Sequence, residues 1–171
     1  MEQENFDKSS LEGLTNIFRQ AGALDPESWA SSQHNEGINQ LGRFSFLKNI
    51  TSEWLREDDL DWVNNCIKYD YSNPNDPCSQ LPRALQEMLD KNVSRQAIVD
   101  LIRLIQFETL FHVCSTIDGT YETDTPVKDW TLYQLDNDGK PVDIISGLHE
   151  SLLEFDPSGN EMRPRKQDAS R

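Results

Sequence analysis

Apolar residues recur every three or four positions over most of this chain, and each such stretch predicts a helix. Leu11, Leu14, Ile17, Phe18 and Ala21 form one stripe, with Ser9 and Glu12 at capping-box spacing before it and Gly22 able to close it. "LDPESWASS" predicts a second helix, capped by Asp25 with Pro26 in the first helical position. Ile38, Leu41, Phe44, Leu47 (or Lys48), Thr51 and Leu55 predict a longer helix over "EGINQLGRFSFLKNITSEWLRE". A fourth is expected in "DDLDWVNNCIKYDY", capped by Asp58 or Asp59, with Leu60, Val63 and Ile67 inward. Three prolines and two asparagines mark "YSNPNDPCSQLP" as a loop. A fifth helix then begins at Pro82 and ends near Asn92.

Ser94 is positioned to cap the longest helix, over 95–117. It contains the most apolar run, "LIRLIQFETLFHVC", and apolar residues take up more than half its circumference. That pattern predicts a central helix with Leu101, Ile105 and Phe111 largely buried. After Gly119 the pattern alternates instead. Trp130, Leu132 or Tyr133, and Leu135 predict one strand, Val142 to Ile145 a second, and "DNDG" the turn of a β-hairpin at about 129–146. A short helical turn and a loop follow in "SGLHESLLEFDPSGNEMRPR". The fold expected is mainly α: a helical bundle around a central long helix, with a small C-terminal β-hairpin. It occupies one domain over 9–165, between a flexible N-terminus at 1–8 and a polar tail at 166–171.

Composition narrows the function more than the fold. The 171 residues include 30 acidic and 16 basic side chains, a net charge of −14. Direct binding to a phosphate backbone needs clustered Lys and Arg, so no direct nucleic-acid binding is expected. Anionic membrane surfaces are disfavoured for the same reason. A basic protein partner is permitted, with electrostatically steered encounter. Cys66, Cys78 and Cys114 are odd in number and widely spaced, which predicts buried free thiols rather than a disulfide framework or a zinc site. "MEQENFDKSS" shows no secretory signal, and no run of 18 apolar residues occurs. The expected location is the cytoplasm.

Four places carry candidate chemistry. Glu108 and His112 share a helix face at i,i+4, suited to general acid–base work or to a metal, or equally to satisfying each other at the edge of a core. Asp136, Asn137 (or Asp138) and Gly139 resemble the start of a calcium loop. The glycine comes too early and Gly147 stands where the bidentate glutamate belongs, so turn chemistry explains them better. His149 and Glu150 begin a polar-rich stretch, but Leu153 replaces the second histidine of a zinc-protease motif. In that stretch "DPSG" reads as a type I turn, with Arg163 pairing a carboxylate. Finally, Glu53, Glu57, Asp58, Asp59 and Asp61 surround Trp54 and Trp62. Acidic residues flanking an aromatic suit a basic partner with an apolar hot spot. They also suit a capped helix with both tryptophans packed inward. No cofactor or metal is expected.

"GLHESLLEFDPSGNEMRPR" and "LIQFETLFHVCSTIDG" resemble a group of small bacterial proteins described only as uncharacterised. The resemblance covers the second half of the chain. It implies a bacterial cytoplasmic origin and brings no activity or site residue with it.

Three functional classes follow. The first is a non-enzymatic acidic binding protein, of accessory or immunity type, that engages a basic protein partner through Glu57, Asp58, Asp59, Asp61 and Trp62. The second is a small enzyme or ligand-binding protein using His149 and Glu150, with Glu108 and His112. The third is an acidic nucleic-acid mimic. The lack of a complete catalytic motif favours the first.

Overall fold

The structure is a computed structural model and describes residues 6–69, 73, 75–120 and 131–163. The fold is mainly α, with a small two-stranded antiparallel sheet near the C-terminus and one helix of 23 residues. The helices among the described residues are α1 (Leu11–Gln20), α2 (Pro26–Glu36), α3 (Gln40–Ile50), α4 (Asp61–Lys68), α5 (Leu81–Asp90), α6 (Arg95–Ile117) and α7 (Leu148–Ser151). The strands are β1 (Leu132–Leu135) and β2 (Pro141–Ile145), and a 3₁₀ turn spans Leu152–Phe155. No helix among the described residues is long and apolar enough to cross a membrane.

Local chemistry sets most helix ends. Asp25 caps α2 by accepting from the Ser28 N–H at 3.0 Å, with Pro26 in the first turn. Ser94 Oγ accepts from the Ala97 N–H at the start of α6. For α1 the cap is Ser10 rather than Ser9, because the Asp7 carboxylate takes both the hydroxyl and the N–H of Ser9. Of the long helix expected over 36–57, only Gln40–Ile50 forms a helix of its own. Gly37, with a φ of 68°, ends α2, and Asn39 starts α3 by accepting from the Gly42 N–H. At the far end Thr51 turns its hydroxyl back onto the Leu47 carbonyl, and the chain leaves the helix before Trp54. Neither Asp58 nor Asp59 caps α4. Leu60 holds the cap position with no side-chain bond, while the Asp58 carboxylate is taken by Arg56.

The chain divides into two compact units. The first is drawn from Met1–Ser52 and Leu110–Phe155. Its core is Leu14, Phe18, Trp29, Ala30 and Phe44, with Phe155 packed against it. The Phe18 and Trp29 rings both meet Phe44 edge-on, at 5.6 and 5.4 Å between centroids, a favourable arrangement for aromatic quadrupoles. The hairpin belongs here. Tyr133 pairs with Ile144, and a register shift follows Gln134. In the turn, one Asp136 carboxylate oxygen accepts the N–H groups of Asp138 and Lys140. Residues 129 and 130 of the expected hairpin lie outside the described residues, as do most of the N-terminus and the tail.

The second unit is drawn from Glu53–Thr109 and Asp156–Arg171. Leu55, Val63, Leu85, Ile98 and Val99 form its core, with Trp62, Met88 and Leu89 packed around it. Two expectations for α6 are corrected here. Leu101 and Ile105 are 45 % and 49 % exposed, and Phe111 is only partly buried. The buried positions of the helix are Ile98, Val99 and Arg103, then Cys114 and Ser115. The apolar sequence of α6 is wider than the surface its neighbours cover.

Candidate functional site

The acidic stretch before and within α4 is partly committed to local structure. Glu57 donates its N–H to Ser158 Oγ and accepts from Asn160 Nδ2, both at 3.0 Å. Arg56 Nε lies 3.1 Å from Asp58 Oδ1, and this bond holds the Asp58 carboxyl below its ordinary range. Asp58, Asp59, Leu60 and Asp61 face solvent. Trp62 does not stand among them as an exposed anchor: it is half-buried against the core of the second unit. Trp54 is buried and stacks on Phe107, with ring centroids 6.1 Å apart.

The residues of the enzyme reading lie on α6 and α7. Glu108 and His112 are both exposed on α6. Glu150 is exposed on α7. His149 is held by Asp118, a residue sequence reasoning did not single out. The Asp118 Oδ2 atom lies 2.6 Å from His149 Nδ1 and also accepts the His149 backbone N–H at 2.9 Å. Phe111 meets the imidazole edge-on at 6.0 Å. A carboxylate on Nδ1 fixes the ring's orientation. The shared backbone bond gives the pair a structural task as well: it anchors the first turn of α7. Nothing local could have revealed it, since the partners are 31 positions apart. Among the described residues, no group of three His, Cys, Asp or Glu side chains is placed to hold a metal.

The feature least explained by folding is on α6. Leu101, Leu104 and Ile105 are 45 %, 47 % and 49 % exposed and lie within a turn of one another on the same side of the helix. Scattered exposed apolar residues are ordinary on a protein surface, whereas a contiguous apolar patch is the kind of surface a partner covers. The exposed carboxylates of Asp100 and Glu108 border them along the helix. An apolar centre with a polar rim is the anatomy of a protein-binding patch.

Comparison with protein-family models, curated proteins and solved structures gives no match. The functional reading therefore stands on these residues and their placement.

Proposed function

We propose that this chain is a non-enzymatic acidic binding protein, of accessory or immunity type, and that its second unit engages a basic protein partner. The observation that carries the reading is the exposed Leu101–Leu104–Ile105 stripe with carboxylates beside it. Burying it on association would recover free energy that the folded chain leaves unused, about 25 cal/mol for each Å² of apolar surface removed from water. The net charge of −14 and the exposed Asp58, Asp59 and Asp61 supply the preference for a positive partner. A bacterial cytoplasmic setting belongs to the same reading, supported by the resemblance noted above and by three free cysteines.

The test is affinity capture from native lysate with wild type and with the Leu101→Ser, Leu104→Ser, Ile105→Ser variant. The reading expects a basic protein retained by wild type and lost with the folded variant. Self-association of wild type through the stripe, with nothing else retained, would contradict it.

A further inference from the structure

The hairpin of the first unit is covered on one face and open on the other. On the covered face Leu132 stands opposite Ile145, which is buried, and Gln134 accepts a hydrogen bond from Asn39 Nδ2 at 2.9 Å. Strand alternation sends the intervening residues to the other face. There Tyr133 and Ile144 form a cross-strand pair, and Leu135 follows Tyr133 by two positions. Val142, which the register shift leaves without an opposite residue, lies two positions before Ile144. Tyr133, Ile144, Leu135 and Val142 are 46 %, 47 %, 55 % and 63 % exposed.

The charged residues of the hairpin lie elsewhere. Asp136, Asp138 and Lys140 are at the turn end, and Asp143 is opposite Gln134 on the covered face. The open face therefore differs from the α6 stripe, which has carboxylates beside it: it offers a basic partner no counter-charge to read. What it fits is another uncharged apolar face, and a second copy of the chain supplies one of the same size and shape.

We propose that this face is a self-association surface, on which two copies of the chain stack their hairpins face to face about a two-fold axis. Such an interface is isologous: each copy contributes the same four side chains, and the two ribbons pack as the sheets of a sandwich do. Half exposure of four large side chains leaves roughly 300–400 Å² of apolar surface in water, taking about 150–200 Å² for each when fully exposed. Two copies would cover roughly 600–800 Å², about half of what a stable interface of about 1,200–2,000 Å² buries. The area therefore sets a reversible dimer that forms at high concentration rather than a permanent one. The negative charge of each copy opposes it, so salt strengthens this contact, whereas salt weakens attraction to a basic partner. The inference does not depend on the partner-binding reading, which concerns the other unit.

The experiment is sedimentation velocity on the full chain from about 10 µM to about 1 mM, a range that spans weak association. It is run at about 0.05 M and about 0.5 M NaCl, with a thiol reductant present so that exposed Cys78 cannot link copies. A monomer–dimer equilibrium is expected, with Kd on the order of 100 µM. It should be at least about threefold tighter at the higher salt, because screening weakens the repulsion between two copies of charge −14. Val142→Lys, at the most exposed of the four positions, sets like charges against each other across the axis and is expected to weaken the dimer at least about tenfold. Should that variant fail to fold by circular dichroism, Leu135→Lys makes the same test. The Leu101→Ser, Leu104→Ser, Ile105→Ser variant is expected to dimerise as wild type does. The proposal is overturned if the chain stays monomeric throughout, which would leave the face to a different partner, or if the folded lysine variant dimerises as wild type does. It is also overturned if the α6 variant abolishes the dimer, or if salt weakens it.

Discussion

Arg103 Nη2 and Asp156 Oδ1 meet at 3.0 Å with both side chains almost wholly out of water. The pair holds α6 to the segment that follows the 3₁₀ turn. Asp156 also accepts the N–H groups of Ser158 and Met162, and Arg103 also donates to the Leu55 carbonyl and Ser158 Oγ. Such a network compensates the desolvation of both charges, and removing one member strands the other. Asp156→Asn should therefore lower unfolding stability by about 3–5 kcal/mol, measured by urea titration at neutral pH.

The same carboxylate sets an acid limit. Burial raises its pKa, but the Met162 and Ser158 N–H groups and Arg103 together outweigh burial, so the folded value lies below the ordinary 3.8. A depressed folded pKa gives stability that is fully present above the unfolded value and is lost as pH falls through the folded one. Wild type should lose stability steeply below about pH 4, and Asp156→Asn should lose less over that interval. Parallel curves for the two proteins would show that Asp156 does not titrate with unfolding.

How legible this molecule was in its sequence depends on how far each cause reaches along the chain. Asp25 before Pro26, Ser94 before α6 and the Asp136–Gly139 turn act within four residues, and each could be read directly. The division of the 36–57 stretch was harder, because Gly37 and Thr51 stop helices whose apolar spacing runs on past them. Asp118 with His149 and Arg103 with Asp156 are joined only by tertiary structure, and no local pattern announces either pair. The apolar run of α6 was plain, but periodicity does not say which of its faces neighbours will cover. For that reason Leu101 and Ile105, expected inside, became the candidate surface.

Exposure on α6 makes a direct stability prediction. Ile98→Ala should cost about 2–5 kcal/mol, as removal of a buried side chain does, while Leu101→Ala should cost under about 1 kcal/mol. Equal losses in denaturant titrations would return Leu101 to the core.

Gly147 has a φ of 69°, and a Cβ added there would sit 2.2 Å from Arg43 Nη2. Gly147→Ala should cost at least about 1–2 kcal/mol from the left-handed backbone alone. It should also displace the guanidinium and so alter the Arg43 Nε–H signal in NMR spectra. An unshifted signal in the folded variant would place Arg43 elsewhere.

The cysteines should react in an order set by exposure. Cys78 is exposed, Cys66 half-buried and Cys114 buried, so the expectation of three buried thiols fails at Cys78, which lies in the proline-rich loop. Burial pushes the Cys114 thiol up to about 11, with the Asp118 charge adding to the effect, and burial also raises Cys66. Iodoacetamide at pH 8 followed by mass spectrometry should find Cys78 labelled first and Cys114 labelled only after unfolding. Early labelling of Cys114 would show that the first unit opens readily.

The central claim is that exposed α6 residues bind a basic partner, and the most direct measurement is association with the captured partner at two salt concentrations. Leu101→Ser, Leu104→Ser, Ile105→Ser should weaken binding by at least about 30-fold, the effect of losing a hot spot of about 2 kcal/mol. Reversing Asp58, Asp59 and Asp61 to Lys should slow association at low salt and matter less as the Debye length shrinks to about 10 Å at 0.1 M. Unchanged affinity in the folded stripe variant, whatever the charge variant does, would contradict the account.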